Sequence, residues 1–172
     1  MKKLFFVLIF LFTHIILANA NSNVFFIDME KILSNSKPGS SLLKQLNEIN
    51  NENLKSFLKQ ENMLKEKEKK IISQKNIISS KNFETSISEL RIEINKYNSD
   101  KKKKFDELQK LKIDSTDKFI KMINPILIKY AEKNSIDLIL RKKDLIIGKS
   151  EFDITDKLLL EINENIQVFK IN

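Results

Sequence analysis

The side chains of this sequence that could do chemistry are lysines and carboxylates, because other reactive types are almost absent. The chain has no cysteine and one histidine, His14, which leaves no thiolate nucleophile, disulfide or zinc–thiolate site. Two glycines and two prolines provide no phosphate-binding loop. The carboxylates alternate with lysines on polar helix faces, so we interpret them as solvated charge. We therefore expect no enzymatic activity, no metal and no cofactor.

Positive charge is concentrated in the middle of the chain. The segment from Lys59 to Lys104 contains 13 basic and seven acidic residues, an excess of six. Without Lys2 and Lys3, the whole chain has 29 basic and 23 acidic residues, so this segment accounts for the entire excess. Two groups of lysines are candidates for attracting an acidic partner, and a merely solvated charged face is the alternative. The groups are Lys65, Lys67, Lys69, Lys70 and Lys101, Lys102, Lys103, Lys104.

The N-terminal residues have the three parts of a secretory signal. Lys2 and Lys3 precede an apolar run from Leu4 to Leu17, and Ala18-Asn19-Ala20 provides a small-x-small cleavage site. The run of about 14 residues is shorter than the roughly 20 that a spanning helix needs. We expect cleavage after Ala20 and export from the cytoplasm. The alternative is an uncleaved anchor on a structural coiled-coil protein of the cell envelope.

A long helical hairpin is predicted for the middle of the chain. Ser36 to Ser40 is expected to be a turn, with Ser40 as the N-cap of a first helix from residue 41 to about 78. A polar tip near 79–82 leads to a second helix, which has Asn82 as its predicted N-cap and ends near 134. The second helix has a 4-3 apolar stripe typical of a coiled-coil seam. Its members are Phe83, Ile87, Leu90, Ile94 and Tyr97, then a gap at Lys101 and Lys104, then Leu108 and Leu111.

Short strand signals lie on both sides of the hairpin, and Pro125 is expected to kink or restart the second helix. Asp153-Ile154-Thr155 predicts an N-cap for a short helix to about Asn165. The predicted strands are 24–27, 136–140, 145–147 and 168–171.

These elements predict an α+β, predominantly helical chain with a long antiparallel coiled-coil hairpin on a small β-structured base. The expected divisions are a signal peptide at 1–20, the hairpin at 41–134, and a base built from 21–40 and 135–172. The hairpin brings the strands from both chain ends together. Because a base this small has a marginal core, we expect it to oligomerise.

The end segments resemble the OmpH/Skp family. Val24 to Leu33 resembles the opening strand and first helical turn of that family, and Ile136 to Leu159, with its Asp-Ile-Thr, resembles the closing segment. The resemblance implies a homotrimeric periplasmic chaperone that holds unfolded outer-membrane β-barrel proteins without ATP and prevents their aggregation before insertion. Anionic lipid or lipopolysaccharide is a further candidate partner.

The basic hairpin suits such a client, since acidic proteins are attracted over a Debye length of about 8 Å. Nucleic acid is not expected as a partner, because the chain is exported and its basic run has no interleaved aromatic residues. Scattered apolar side chains would add weak multiple contacts, with ordinary helix packing as the alternative for each. They are Leu54, Phe57, Leu64, Ile71, Ile77 and Phe105.

Mass spectrometry of the protein recovered from cells tests the signal peptide. We expect the mature chain to begin at Asn21, because the small residues at Ala18 and Ala20 fit the signal peptidase site. Recovery of a chain that keeps residues 1–20 would favour the membrane-anchored structural protein instead.

Overall fold

The structure, a computed structural model, describes residues 22–171, so the predicted signal peptide lies outside the described residues. Two short 3-10 turns, Lys142–Asp144 and Ser150–Phe152, lie between the strand that ends at Arg141 and the helix that begins at Thr155. The chain is mostly helical with one small sheet, and the predominantly helical α+β expectation is confirmed in that form. In chain order, the main elements are β1 (Val24–Ile27), α1 (Met29–Asn35), α2 (Lys37–Ser73), α3 (Ser80–Lys133), β2 (Leu138–Arg141) and α4 (Thr155–Asn165).

The sheet is a parallel pair in which β1 and β2 come from opposite sides of the long helices. Val24 pairs with Leu138 and Ile27 pairs with Arg141 at the two ends of the register. The other side of β1 is partly covered, because the Ile154 N–H donates to the Phe26 carbonyl at 3.1 Å. The outer edge of β2 has no strand partner within residues 22–171.

The hydrophobic core lies beside this sheet, where the first turns of α2 and the last turns of α3 meet α1 and α4. Its members are aliphatic apart from two phenylalanines, and they come from every helix. They are Ile27, Ile32, Leu42, Leu46, Phe119, Ile123, Ile154, Leu158, Ile162 and Phe169.

Buried Thr155 joins the sheet to both short helices. Its hydroxyl accepts a hydrogen bond from the Asp28 N–H at 2.9 Å and donates to the Asp153 carboxylate. The Asp28 carboxylate in turn accepts from the Lys31 N–H and caps α1. Burial raises the pKa of Asp153, but hydrogen bonds from Thr155 and the nearby Lys142 ammonium outweigh it and lower that pKa overall. The Asp-Ile-Thr segment is therefore a structural junction of three elements.

Helix α2 begins four residues earlier than predicted, so the expected turn at 36–40 with a Ser40 cap is wrong. Ser36 is the N-cap, and its hydroxyl oxygen accepts from the Gly39 N–H at 3.1 Å. Pro38 is tolerated because first-turn N–H groups have no partner inside the helix. A Cβ on Gly39 would lie 2.1 Å from the Leu33 carbonyl oxygen. The glycine therefore allows close packing of α2 against α1.

The connection between the long helices also differs from the predicted tip at 79–82. Helix α2 ends at Ser73, and the turn is closed by Gln74, whose carbonyl accepts from the Ile77 and Ile78 N–H groups. Ser79, not Asn82, caps α3, because its hydroxyl accepts from the Asn82 N–H at 3.3 Å.

The two long helices lie side by side, and we refer to α2 and α3 together as the helical arm. Lys67 of α2 pairs with Glu93 of α3, and the rings of Phe57 and Tyr97 are 6.4 Å apart. Late residues of α2 therefore contact early residues of α3.

Two predicted strands are absent from the described residues. Residues 145–147 pair with no strand within residues 22–171, although the outer edge of β2 is free. Residues 168–171 instead contact the side chain of Gln45, which donates to the Phe169 carbonyl at 2.6 Å and accepts from the Ile171 N–H at 3.1 Å. A glutamine amide offers the same donor and acceptor as a peptide group, so it takes the place of a strand partner.

Pro125 does not restart the second helix, because α3 continues through it from Ser80 to Lys133. A proline inside a helix costs about 3 kcal/mol. Buried Phe119 and Ile123 lie in the turns just before it, and their packing offsets this cost.

Replacing Thr155 with valine tests the junction. Thr155→Val keeps the volume but leaves the Asp28 N–H without its partner, so we expect a loss of about 1–3 kcal/mol in the free energy of unfolding. Urea unfolding at a fixed protein concentration measures it. Thr85→Val is the control, because that exposed hydroxyl bonds only to the Lys81 carbonyl in its own helix. Equal losses in both variants would contradict the assigned role.

Candidate functional site

The first lysine group lies in the last turns of α2, and most of it is paired with carboxylates. Lys65 contacts Glu61 at 2.8 Å, and Lys69 contacts Glu66 at 2.8 Å. Lys67 reaches across to Glu93 of α3 at 2.5 Å. Within residues 22–171, Lys70 has no carboxylate partner.

The second lysine group lies on α3, one to two turns after Tyr97. Lys102 contacts Asp106 at 2.8 Å and Lys104 contacts Glu107 at 3.0 Å. Lys101 has an aromatic environment instead, with its ammonium 6.0 Å from the Phe57 ring centroid and 5.6 Å from that of Tyr97. At these distances the ring faces attract the cation.

The two groups are staggered along the helical arm and do not form one continuous lysine surface. Glu61 connects them: the hydrogen bond and charge of Lys65 lower its pKa, and the charge of Lys101 lowers it further. These pairs are exposed, and exposed ion pairs are weak and screened by salt. The carboxylate partners therefore hold these exposed lysines only weakly.

The six apolar side chains proposed as weak contacts fall into three groups. Ile71 is only 6% exposed and packs inside the helical arm, so its selection as a contact residue is wrong. Phe57 and Leu64 are half-buried. Leu54, Ile77 and Phe105 are 49%, 79% and 60% exposed.

Burial along the helical arm is interrupted in its middle part. On α2 no residue is buried between Leu46 and Ile71, and on α3 none is buried between Leu90 and Ser115. Lys101 and Lys104 occupy this part of the predicted seam. Because a lysine ammonium is costly to bury, the interface cannot close around it, and neighbouring apolar side chains remain partly exposed.

Two grooves open along this unburied part of the helical arm. We call the first the mid-arm groove; it has a volume of about 340 Å³ and is lined by Leu54, Phe57, Phe105 and Leu108, with lysines and asparagines around them. The second is lined by Met63, Leu64 and Tyr97 and has a volume of about 440 Å³. The sequence signal for the grooves was the gap in the 4-3 stripe.

The part of the chain that the structure describes contains neither a candidate metal site nor a candidate membrane span. Residues 22–171 contain no group of three or more acidic or histidine side chains placed to hold a metal ion. In the same range, no helix is both long enough and apolar enough to cross a membrane.

A small parallel sheet with a helical arm inserted between its strands defines the class of fold, and the comparisons identify the family. The family described as "Outer membrane protein (OmpH-like)" matches residues 23–162. The chain therefore belongs to the OmpH-like family, which confirms the family resemblance seen in the sequence. No curated protein matches the chain significantly by sequence.

A solved structure has the same fold. It is the crystal structure of a protein from Caulobacter crescentus CB15, described as a candidate outer membrane chaperone (OmpH-like). The TM-score is 0.80 over 90% of this chain and 92% of that chain, at 14% sequence identity.

Proposed function

We propose that this chain is an ATP-independent periplasmic holdase that binds unfolded outer-membrane proteins and prevents their aggregation before insertion. The observation that carries the proposal is the helical arm of an OmpH-like chain, on which exposed apolar side chains alternate with lysines. Such a surface makes many weak contacts, and multivalent weak contacts hold a client without fixing its conformation. Holding requires no bond to be made or broken, so the protein acts without catalysis.

The client class follows from the chemistry of β-barrel proteins. Their strands alternate apolar with polar residues, and when unfolded they expose apolar side chains to water. Exposed Leu54, Ile77 and Phe105 can shield such side chains. The lysine groups at 65–70 and 101–104 can attract carboxylates of the client or of anionic lipid.

We further propose that three chains assemble through the base, here α1, α4, the sheet and the segments around them, with the helical arms as antiparallel coiled coils. The free edge of β2 exposes unpaired backbone groups, which favours pairing with another strand. Ile146 and Ile147 next to it are almost completely exposed. Burying them against neighbouring chains would extend the small core.

Dilution of an unfolded outer-membrane protein from urea tests the holdase. We expect the mature protein to suppress light scattering by the client at equimolar trimer or below. Replacing Lys101, Lys102, Lys103 and Lys104 with glutamine should weaken client binding several-fold at low salt and less at high salt, since salt screens charge.

The control for that variant replaces Lys110, Lys112, Lys118 and Lys121, four exposed lysines of the same helix, with glutamine. The control has the same net charge, so equal weakening would assign the effect to overall charge and not to residues 101–104. No suppression by the unmodified protein would contradict the holdase itself.

Mass measurement in solution by light scattering tests the assembly. We expect the unmodified protein to have the mass of three chains and Ile146→Ser/Ile147→Ser to dissociate towards smaller species, because each lost apolar contact weakens association. Ile72→Ser/Ile77→Ser removes two exposed isoleucines, one at the end of α2 and one in the turn that follows it, and should leave the mass unchanged. A monomeric unmodified protein would overturn the proposed trimer.

A further inference from the structure

We propose that the mid-arm groove is a specific binding site for an extended polypeptide segment in which an acidic residue neighbours an aromatic or large aliphatic residue. This inference rests on the proposed holdase function and narrows it, because it assigns one site and one type of segment. The juxtaposition of an apolar floor, lysines and amide side chains in this groove carries it.

The apolar part of the groove is preformed. Leu54 and Phe105 are 49% and 60% exposed, and they face the groove together with half-buried Phe57. The Phe57 ring is held edge-to-face against Tyr97 at 6.4 Å and an interplanar angle of 80°. The volume of about 340 Å³ lies at the lower end of the range of about 300–1,000 Å³ for small-ligand pockets. It fits one or two apolar side chains and not a folded surface.

The charge of the groove selects an acidic ligand. Lys101, Lys102 and Lys104 line it, and no carboxylate does. The Lys101 ammonium lies 6.0 Å from the Phe57 ring centroid and 5.6 Å from that of Tyr97, and ring faces at these distances attract a cation. Lys103, between these residues, does not line the groove. Three of the four consecutive lysines therefore line the groove, and one does not.

The amide side chains favour a polypeptide over a lipid. Asn50, Asn53 and Asn98 lie along the groove, and each amide can both donate to a carbonyl and accept from an N–H. An extended backbone presents both groups at every residue, whereas an acyl chain presents neither. In an extended segment, neighbouring side chains point to opposite sides, so an apolar side chain can enter while long lysine side chains reach the adjacent carboxylate.

The test uses a tryptophan in the groove as a reporter, because the natural chain contains none. Phe105→Trp places the reporter in the groove. Ile113→Trp is the matched control, with 61% exposure against 60% for Phe105, on the same helix and outside the groove. The probe is a ten-residue peptide of alternating Asp and Phe, and two comparison peptides replace either Asp with Asn or Phe with Ser.

We expect the Asp/Phe peptide to shift the emission of Phe105→Trp to shorter wavelength with saturation, and not that of Ile113→Trp. Each comparison peptide should bind more weakly. In the Phe105→Trp background, Lys101→Gln and Lys104→Gln should each weaken binding about two- to fivefold, the effect of one partly screened ion pair. Lys103→Gln, at a residue that does not line the groove, should weaken peptide binding clearly less than Lys101→Gln does.

Other occupants of the groove would overturn the proposal. A shift of Phe105→Trp that depends on protein concentration without peptide would assign the groove to a second copy of this chain. A shift with vesicles of anionic lipid but not with peptide would assign it to lipid. If Lys103→Gln and Lys101→Gln weakened peptide binding equally, the attraction would come from overall positive charge and not from the groove.

The result is separable from that of the holdase test. If Phe105→Trp suppresses client aggregation but its emission wavelength does not change when the peptide is added, the groove proposal fails and the holdase stands. If the peptide binds as expected but no client is protected, the groove stands as a peptide site and the proposed function fails.

Discussion

The structure depends on one constraint, the parallel pairing of β1 with β2. Parallel strands cannot be joined by a tight turn and need a long crossover. Here the crossover is the whole helical arm, so the pairing holds the first turn of α2 near the last turns of α3. Thr155 and Asp153 secure the arrangement by hydrogen bonds to the start of α1 and to each other. The small sheet therefore positions helices much longer than itself.

Apolar burial is strong where the helical arm meets the sheet and weak along its middle. Leu42, Phe119 and Ile123 are fully buried near the sheet, whereas Leu54 and Phe105 remain exposed farther out. A conventional coiled coil would cover these side chains with its own seam. Lysine at two seam positions prevents this closure and leaves open the surface that we propose for binding.

Most of the candidate lysines on the helical arm are paired with carboxylates. Most candidate lysines have a carboxylate within one or two turns, and Lys67 bridges the two helices. Such exposed pairs add little stability and exchange readily for another partner. Lys101 differs, because within residues 22–171 it forms no salt bridge, and its ammonium lies near two aromatic rings. The site is thus defined by what surrounds each lysine and not by the lysine run itself.

The sequence by itself determined the helical arm, the strands at 24–27 and near 138–141, and the missing catalytic groups, because periodicity and composition are local properties. Only the tertiary structure decided that Pro38 and Gly39 start a helix, since a close contact with Leu33 requires that glycine. The tertiary structure also shows that residues 168–171, predicted as a strand, form hydrogen bonds with the Gln45 side chain instead. Likewise, a one-dimensional stripe showed the gap at Lys101 but not the groove, which exists only where two helices face each other.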